Sequence, residues 1–311
     1  MINKIRIMLK TYIAILNMNP HVINMTKKGL RTGKDKKYSP LWVHILLFVI
    51  TIITTTIAGA QSTDSIKDII ISGLPFSITI MSILLSHEMG HYLTAKHFGI
   101  KATLPYFIPF PSIIGTMGAI IKIKSPINDK RALLFIGAMG PLIGFFFSLI
   151  ASIIGIYLSE VKILPAITGG ESTLIFGDSI LFATITKIFH GEIQAGYDIY
   201  LSPYAWAGWI GLFVTSLNLM PLGQLDGSHI IYALIGRKQI FVGWTTFFML
   251  IFLSFFWEGW IIWIALTLCL LMIGHPPLED GRKLSVGETL LGLSCIAIFI
   301  ISFIPIPVQI F

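Results

Sequence analysis

Along this chain long apolar runs alternate with short polar or basic connections. Runs able to cross a bilayer lie near Leu41 to Gly59, Leu74 to Phe98, Ala132 to Leu158, Tyr204 to Met220, Ile240 to Trp257, Gly259 to Ile273 and Val286 to Ile304. A spanning helix needs about 20 residues at 1.5 Å rise each, so the pattern predicts an all-α polytopic membrane protein with six to seven transmembrane helices. The fifth and sixth runs are separated only by Glu258-Gly259.

Two segments depart from clean spans. Thr103 to Pro126 is apolar, yet Pro105, Pro109, Pro111, Gly115 and Gly118 forbid a continuous helix. Its backbone must be satisfied inside the protein or at the interface, as in a small re-entrant β-hairpin over residues 103–126. Ala119 to Lys124 alternates, with Ile121 and Ile123 on one side and Lys122 and Lys124 on the other, which predicts a half-buried strand. Its edge could pair with an extended peptide, making Gly118, Ala119, Ile121 and Ile123 candidate substrate-binding residues; a plain connecting hairpin is the alternative. In the second segment, Ser159 to Pro203, LIFGDSILFATITKIFHGEI predicts an interfacial helix without chemistry.

Composition agrees with a membrane setting: 55% of the 311 residues are hydrophobic and 12% charged, about half the charged share of a soluble domain. The net charge of +7 sits in loops between spans, so it speaks for topology and not for nucleic acid. Nine Lys or Arg fall in residues 1–40, six in 96–131, and two each at Arg237-Lys238 and Arg282-Lys283. Only Lys67, Lys162 and Lys187 fall on the other side. This bias predicts a basic cytoplasmic tail over 1–40, a single membrane domain over 41–311 in the cell membrane, and an outside C-terminus if all seven spans are real. The N-terminal apolar run, broken by Asn17, Asn19 and Pro20, reads poorly as a signal peptide, and the near absence of Ser argues against a transit peptide. Cys269 and Cys295 lack metal-ligand spacing and read as small buried hydrophobes.

HEMGH, residues 87–91, interrupts one of the spans. On a helix His87 and His91 share a face and can reach one metal, with Glu88 beside them as a base for water. Three polar groups in an apolar span are costly, which makes a functional role the default. A third ligand is required. His97 occupies the place of the last histidine in the extended H-E-x-x-H-x-x-G-x-x-H pattern, but position 94 is Thr, and on a continuing helix His97 lies about 240° around from His91. No Glu occurs between Glu88 and Glu160. The remaining candidates, Asn218, Asp226 and His229, lie in GWIGLFVTSLNLMPLGQLDGSH, whose helix Pro221 must kink or end. His87 is 13 residues beyond Leu74 and Asn218 is 13 beyond Ala205, so both reach about 20 Å into the bilayer, in its cytosolic third. Past Pro221 the loosened chain can bring Asp226 back to the metal.

HEMGH together with NLMPLGQLDGSH resembles the site-2 protease family of intramembrane zinc metalloproteases. PYAWAGWIGLFVTSLNLMPLGQLDGSHI is most similar to the branch without a PDZ domain, as in plant chloroplasts and prokaryotes. The resemblance covers about residues 74–231, a catalytic core extending to about 235, and includes GTMGA (115–119) and GPLIG (140–144). It implies that His87, His91 and Asp226 bind one zinc ion, that Glu88 is the general base and acid, and that Asn218 places the substrate carbonyl or water. The implied activity is hydrolysis of a peptide bond in or near a transmembrane helix of a membrane-protein substrate. Ser228 departs from the D-G-G-H run usual in that branch. A metal transporter using the same three ligands leaves Glu88 unexplained, and a catalytically silent membrane-binding homologue would be expected to have lost part of a motif that is complete here.

Overall fold

The computed structural model describes residues 39–163, 174–271 and 282–310. All but the last two residues of the expected basic tail lie outside that range, as do residues 164–173 of the outer stretch and the end of the sixth expected span. Residues 41–311 form one compact unit.

The unit opens with α1 (Leu41–Ala58) and α2 (Ile66–His97). The apolar run begins at Leu74, but α2 starts eight residues earlier. The Ser65 hydroxyl accepts the Asp68 backbone N–H there and caps the helix, and the helix carries Pro75 within it. After α2 the chain forms β1 (Tyr106–Pro109) and β2 (Thr116–Ile120), an antiparallel hairpin pairing Tyr106 with Ile120 and Phe107 with Ala119. The strand therefore lies earlier than Ala119–Lys124. Beyond it only Ile123 forms an isolated bridge, to Ala102, because the Thr103 hydroxyl takes the Lys122 N–H and breaks the regular ladder. The expected alternation survives in exposure: Ile121 and Ile123 are half-buried and Lys122 and Lys124 exposed.

The hairpin is re-entrant along α1. His44 Nδ1 lies 3.0 Å from the Pro105 carbonyl at its base, while Gly115 at its tip packs so tightly on Thr54 and Thr55 that a β-carbon there would lie 2.5 Å from the Thr54 carbonyl oxygen. Those contacts are 10 to 11 residues apart on α1, about 15–16 Å.

α3 (Lys130–Tyr157) follows, capped by Asp129, whose carboxylate accepts the Arg131 and Ala132 N–H groups. Next come β3 (Glu160–Ile163), β4 (Leu174–Phe176), α4 (Ile180–His190) and β5 (Tyr197–Tyr200). β3 pairs with β5. The interfacial helix is shorter than the sequence suggests: Leu174–Phe176 is strand, and α4 starts only after Ser179, which caps it by accepting the Phe182 N–H. α5 (Pro203–Leu219) has Ser202 as cap and Pro at its first position, where a missing N–H is harmless. α6 (Asp226–Ile235), a 3₁₀ turn (Gly236–Lys238), α7 (Gln239–Leu253), α8 (Trp260–Leu271), α9 (Val286–Ser302) and β6 (Val308–Ile310) complete the unit. β6 pairs with β4, so the chain ends on the same side as the stretch between α3 and α5.

The fold is thus mainly helical with small hairpins. α1, α2 and α3 are long and apolar enough to cross a membrane. α5 and α9 have 17 residues, α7 has 15 and α8 has 12.

α2, α3 and α5 approach closely because small residues face one another, the packing expected where helices gain no hydrophobic drive from lipid. A β-carbon at Gly155 of α3 would overlap the Ala205 backbone nitrogen of α5, and one at Gly208 would lie 2.6 Å from Ser152. Helical hydroxyls mostly return to the carbonyl one turn back, as in Ser148 to Gly144 and Thr215 to Gly211. Thr55 and Ser77 join α1 to α2 at 2.7 Å.

The contact between α3 and α5 yields a test. Gly155→Ala must push the helices apart, at a cost of about 1–3 kcal/mol, and should lower the thermal midpoint in detergent by about 2–10 °C. Gly287→Ala, with no heavy atom within 4 Å of the added carbon, should leave it unchanged.

Candidate metal centre

His87, Glu88 and His91 lie in the second half of α2, all buried at 6–7% exposure among apolar side chains. One helical turn separates the two histidines, and their rings turn to the same side. Asp226 arrives from another direction. Pro221 ends α5, the Met220 backbone extends (φ −59°, ψ 133°), and short turns from Leu222 to Leu225 lead into α6, with Asp226 as its first residue.

The three ligand atoms converge. His87 Nε2 and His91 Nε2 are 3.1 Å apart, and Asp226 Oδ2 lies 3.4 Å from the first and 3.2 Å from the second. Bonds of about 2.0–2.1 Å in a tetrahedron require ligand atoms about 3.3 Å apart, so these three fit three corners of a zinc site. The donor chemistry agrees. His91 Nδ1 lies 2.7 Å from the Ile136 carbonyl, which can only accept, so that nitrogen carries the proton and the Nε2 lone pair faces the centre. Among the described residues this is the one cluster of His, Cys, Asp or Glu side chains suited to hold a metal ion.

Asn218, on the last turn of α5, places Nδ2 3.5 Å from His87 Nε2, at the limit of a hydrogen bond. Two helices from distant parts of the sequence therefore meet at one level. Glu88 is beside the cluster, and the Ile121 backbone N–H, just past β2, is directed at its carboxylate. That contact joins the hairpin to the site. Gly118 lies within β2 with φ +99° and open space where a side chain would be, and Ala119 pairs with Phe107. The hairpin has two strands, so the far edge of β2 carries no strand among the described residues. His97 ends α2 exposed to solvent, its ring against Phe98, and is not part of the cluster. His229 is half-buried beside Gly137 of α3.

Sequence reasoning overlooked how the rings are accommodated. A β-carbon at Gly140 would overlap the His91 ring at Nε2, and one at Gly144 would lie 2.9 Å from His87 Nδ1. A β-carbon at Gly90, inside HEMGH, would lie 2.6 Å from the Met139 carbonyl oxygen. The signal was in plain view in GPLIG, whose two glycines are four apart and therefore share a helix face, as the two histidines do.

Comparison with known proteins gives an independent result. Residues 75–256 match the model of peptidase family M50. An Arabidopsis thaliana protein described as the probable zinc metalloprotease EGY2, chloroplastic, is 35% identical over 167 residues, covering 53% of this chain and 29% of that protein. The probable zinc metalloprotease EGY1, chloroplastic, of Oryza sativa subsp. japonica is 33% identical over 187 residues, covering 58% of this chain and 31% of its own length. The chain thus spans about a third of the length of the curated relatives it matches. No solved structure matches it.

The glycine contacts are open to direct measurement. Gly140→Ala should displace the His91 ring and weaken zinc binding about 100-fold or more, read by chelator competition, because the added carbon meets the ligand atom itself. Gly144→Ala, tight but not overlapping, should weaken it about 10-fold or less. Equal affinities for both variants and the wild type would remove the glycines from the account.

Proposed function

Because the chain belongs to peptidase family M50, we propose that it is an intramembrane zinc metalloprotease that cuts a peptide bond in or near a transmembrane helix of another membrane protein. The observation that carries this reading is the convergence of His87 Nε2, His91 Nε2 and Asp226 Oδ2 to 3.1–3.4 Å, with the Glu88 carboxylate beside them, inside an apolar helical bundle. We assign His87, His91 and Asp226 as ligands of one zinc ion per chain. When bound, zinc polarises the scissile carbonyl and lowers the pKa of water, bringing hydroxide chemistry within reach of neutral pH.

Glu88 does the proton work. Its carboxylate takes the proton of the attacking water and delivers it to the nitrogen of the leaving amine. The Ile121 N–H holds that carboxylate in place. Asn218 offers amide donors at the level of His87 and orients the substrate carbonyl or the water.

A substrate helix hides its peptide bonds in its own hydrogen bonds, so it must unwind before cleavage. The uncovered edge of β2 can pair with the extended segment, with Gly118, Ala119, Ile121 and Ile123 alongside it, and β2 leads directly into the residue that holds Glu88. The open space at Gly118 favours close approach of a second backbone.

The finer placement of the chain rests on charge. We read α5, α7, α8 and α9 as completing six to seven spans in the cell membrane. The basic tail then lies in the cytoplasm and the metal centre in the cytosolic third of the bilayer, with water entering from that side. The partners are the bilayer and a membrane-protein substrate.

Two experiments bear on this. In detergent, Glu88→Gln should bind about one zinc per chain, as wild type does, and cut a model transmembrane substrate at least about 10²–10⁴-fold more slowly. Undiminished cleavage would take Glu88 out of the mechanism. With Cys269 and Cys295 replaced, Asn128→Cys should react with an impermeant thiol reagent only after the cytosolic face is opened, and Thr63→Cys should react in intact cells. The reverse labelling would invert the orientation.

A further inference from the structure

The turn that carries Asp226 is held from a side that the motif does not include. Leu225, at the N-terminus of α6, holds the first turn through its backbone carbonyl alone and provides no side-chain cap. One flank is fixed by Gly227, where a β-carbon would overlap the Leu219 carbonyl. On another, the fully buried Ser228 hydroxyl accepts a 2.7 Å hydrogen bond from Gln239 Nε2, and the same nitrogen lies 3.4 Å from the Pro221 carbonyl. Gln239 is also buried, at 7% exposure. It is the first residue of α7 and returns to the start of α6 through Gly236, at φ +62°, and the 3₁₀ turn.

One amide therefore ties together three points: the break after α5, the first turn of α6 and the start of α7. The pieces it joins are those that set where Asp226 sits. Ser228 is two residues beyond the carboxylate, and Pro221 is the point at which the chain leaves α5 to bring it back.

We propose that Gln239 is a positioning residue for the metal centre, acting through Ser228 to hold Asp226 against the two imidazoles of α2. The proposal rests on the reading of His87, His91 and Asp226 as ligands. An amide suits the task because one NH₂ group supplies two donors for two acceptors. Leucine, of similar size, would leave the Ser228 hydroxyl and the Pro221 carbonyl without this donor in apolar surroundings. The proposal also gives Ser228 a purpose: glycine at that position would offer Gln239 no side-chain acceptor. Ligand atoms 3.2 and 3.4 Å apart leave little tolerance, and groups behind ligands commonly change metal affinity about 10–100-fold.

The test uses the full chain in detergent as wild type, Gln239→Leu, Ser228→Ala, the double variant and Asp226→Ala. Zinc affinity is measured by chelator competition, the visible spectrum of the cobalt(II)-loaded protein reports ligand geometry, and thermal midpoints are recorded alongside. Gln239→Leu and Ser228→Ala should each weaken zinc binding about 10–100-fold and shift the cobalt bands. The double variant should be no weaker than the weaker single, since both remove one link. Wild-type affinity and spectrum in both single variants, whatever their midpoints, with metal lost in Asp226→Ala, would make Gln239 a packing residue only. Wild-type zinc binding by Asp226→Ala would overturn the ligand assignment and this proposal together. Should Gln239→Leu fail to fold, Ser228→Ala, which removes a single oxygen, decides the matter by the same two readouts.

Discussion

The His91 imidazole is the point from which the rest of the arrangement is fixed. It is buried, its Nδ1 is committed to the Ile136 carbonyl, and its Nε2 therefore faces His87 and Asp226. That geometry exists only because α3 passes α2 with Gly140 against the ring. An uncompensated polar group in apolar surroundings costs several kcal/mol, so a half-placed histidine would be worse than none. The contacts of α2 with α3 and of α3 with α5, made through Gly90, Gly140, Gly144, Gly155 and Gly208, are thus the structural precondition of the His87, His91 and Asp226 cluster as much as of the fold.

The hairpin solves a second problem of the same kind. A segment with Pro105, Pro109 and Pro111 cannot close its hydrogen bonds as a helix, and hydrocarbon offers no partners. Here its strands satisfy one another, α1 takes its base at His44 and its tip at Thr54 and Thr55, and the Ile121 N–H that follows β2 is turned toward Glu88. Irregular backbone is tolerated here because the strands pair with each other and rest on α1, and the chain just past β2 reaches Glu88.

Much of this was legible in the linear pattern. Apolar runs mark helices because burial and length are local properties, and the boundaries of α1, α3 and α5 fall within two residues of the runs that predict them. Reading was poorer where a local signal competed with a cap or a ladder. Ser65 extends α2 past the polar pair Lys67-Asp68, Ser179 delays α4, and the Thr103 hydroxyl ends the regular pairing of β2 early. The convergence of HEMGH with the segment after Pro221 was anticipated from equal depth, which is one-dimensional information that survives without a structure.

By itself the sequence determined the membrane setting, the shared face of His87 and His91, the helix break at Pro221 and the levels at which His87 and Asn218 sit. Each follows from periodicity, composition or chain length. Only tertiary structure decided which groups stand behind the site: Gly140 and Gly144 under the rings, the Ile136 carbonyl on His91, the Ile121 N–H on Glu88, and Gln239 on Ser228. Those contacts join residues from 11 to 57 positions apart across different elements, and no period or spacing encodes which groups close packing will bring together.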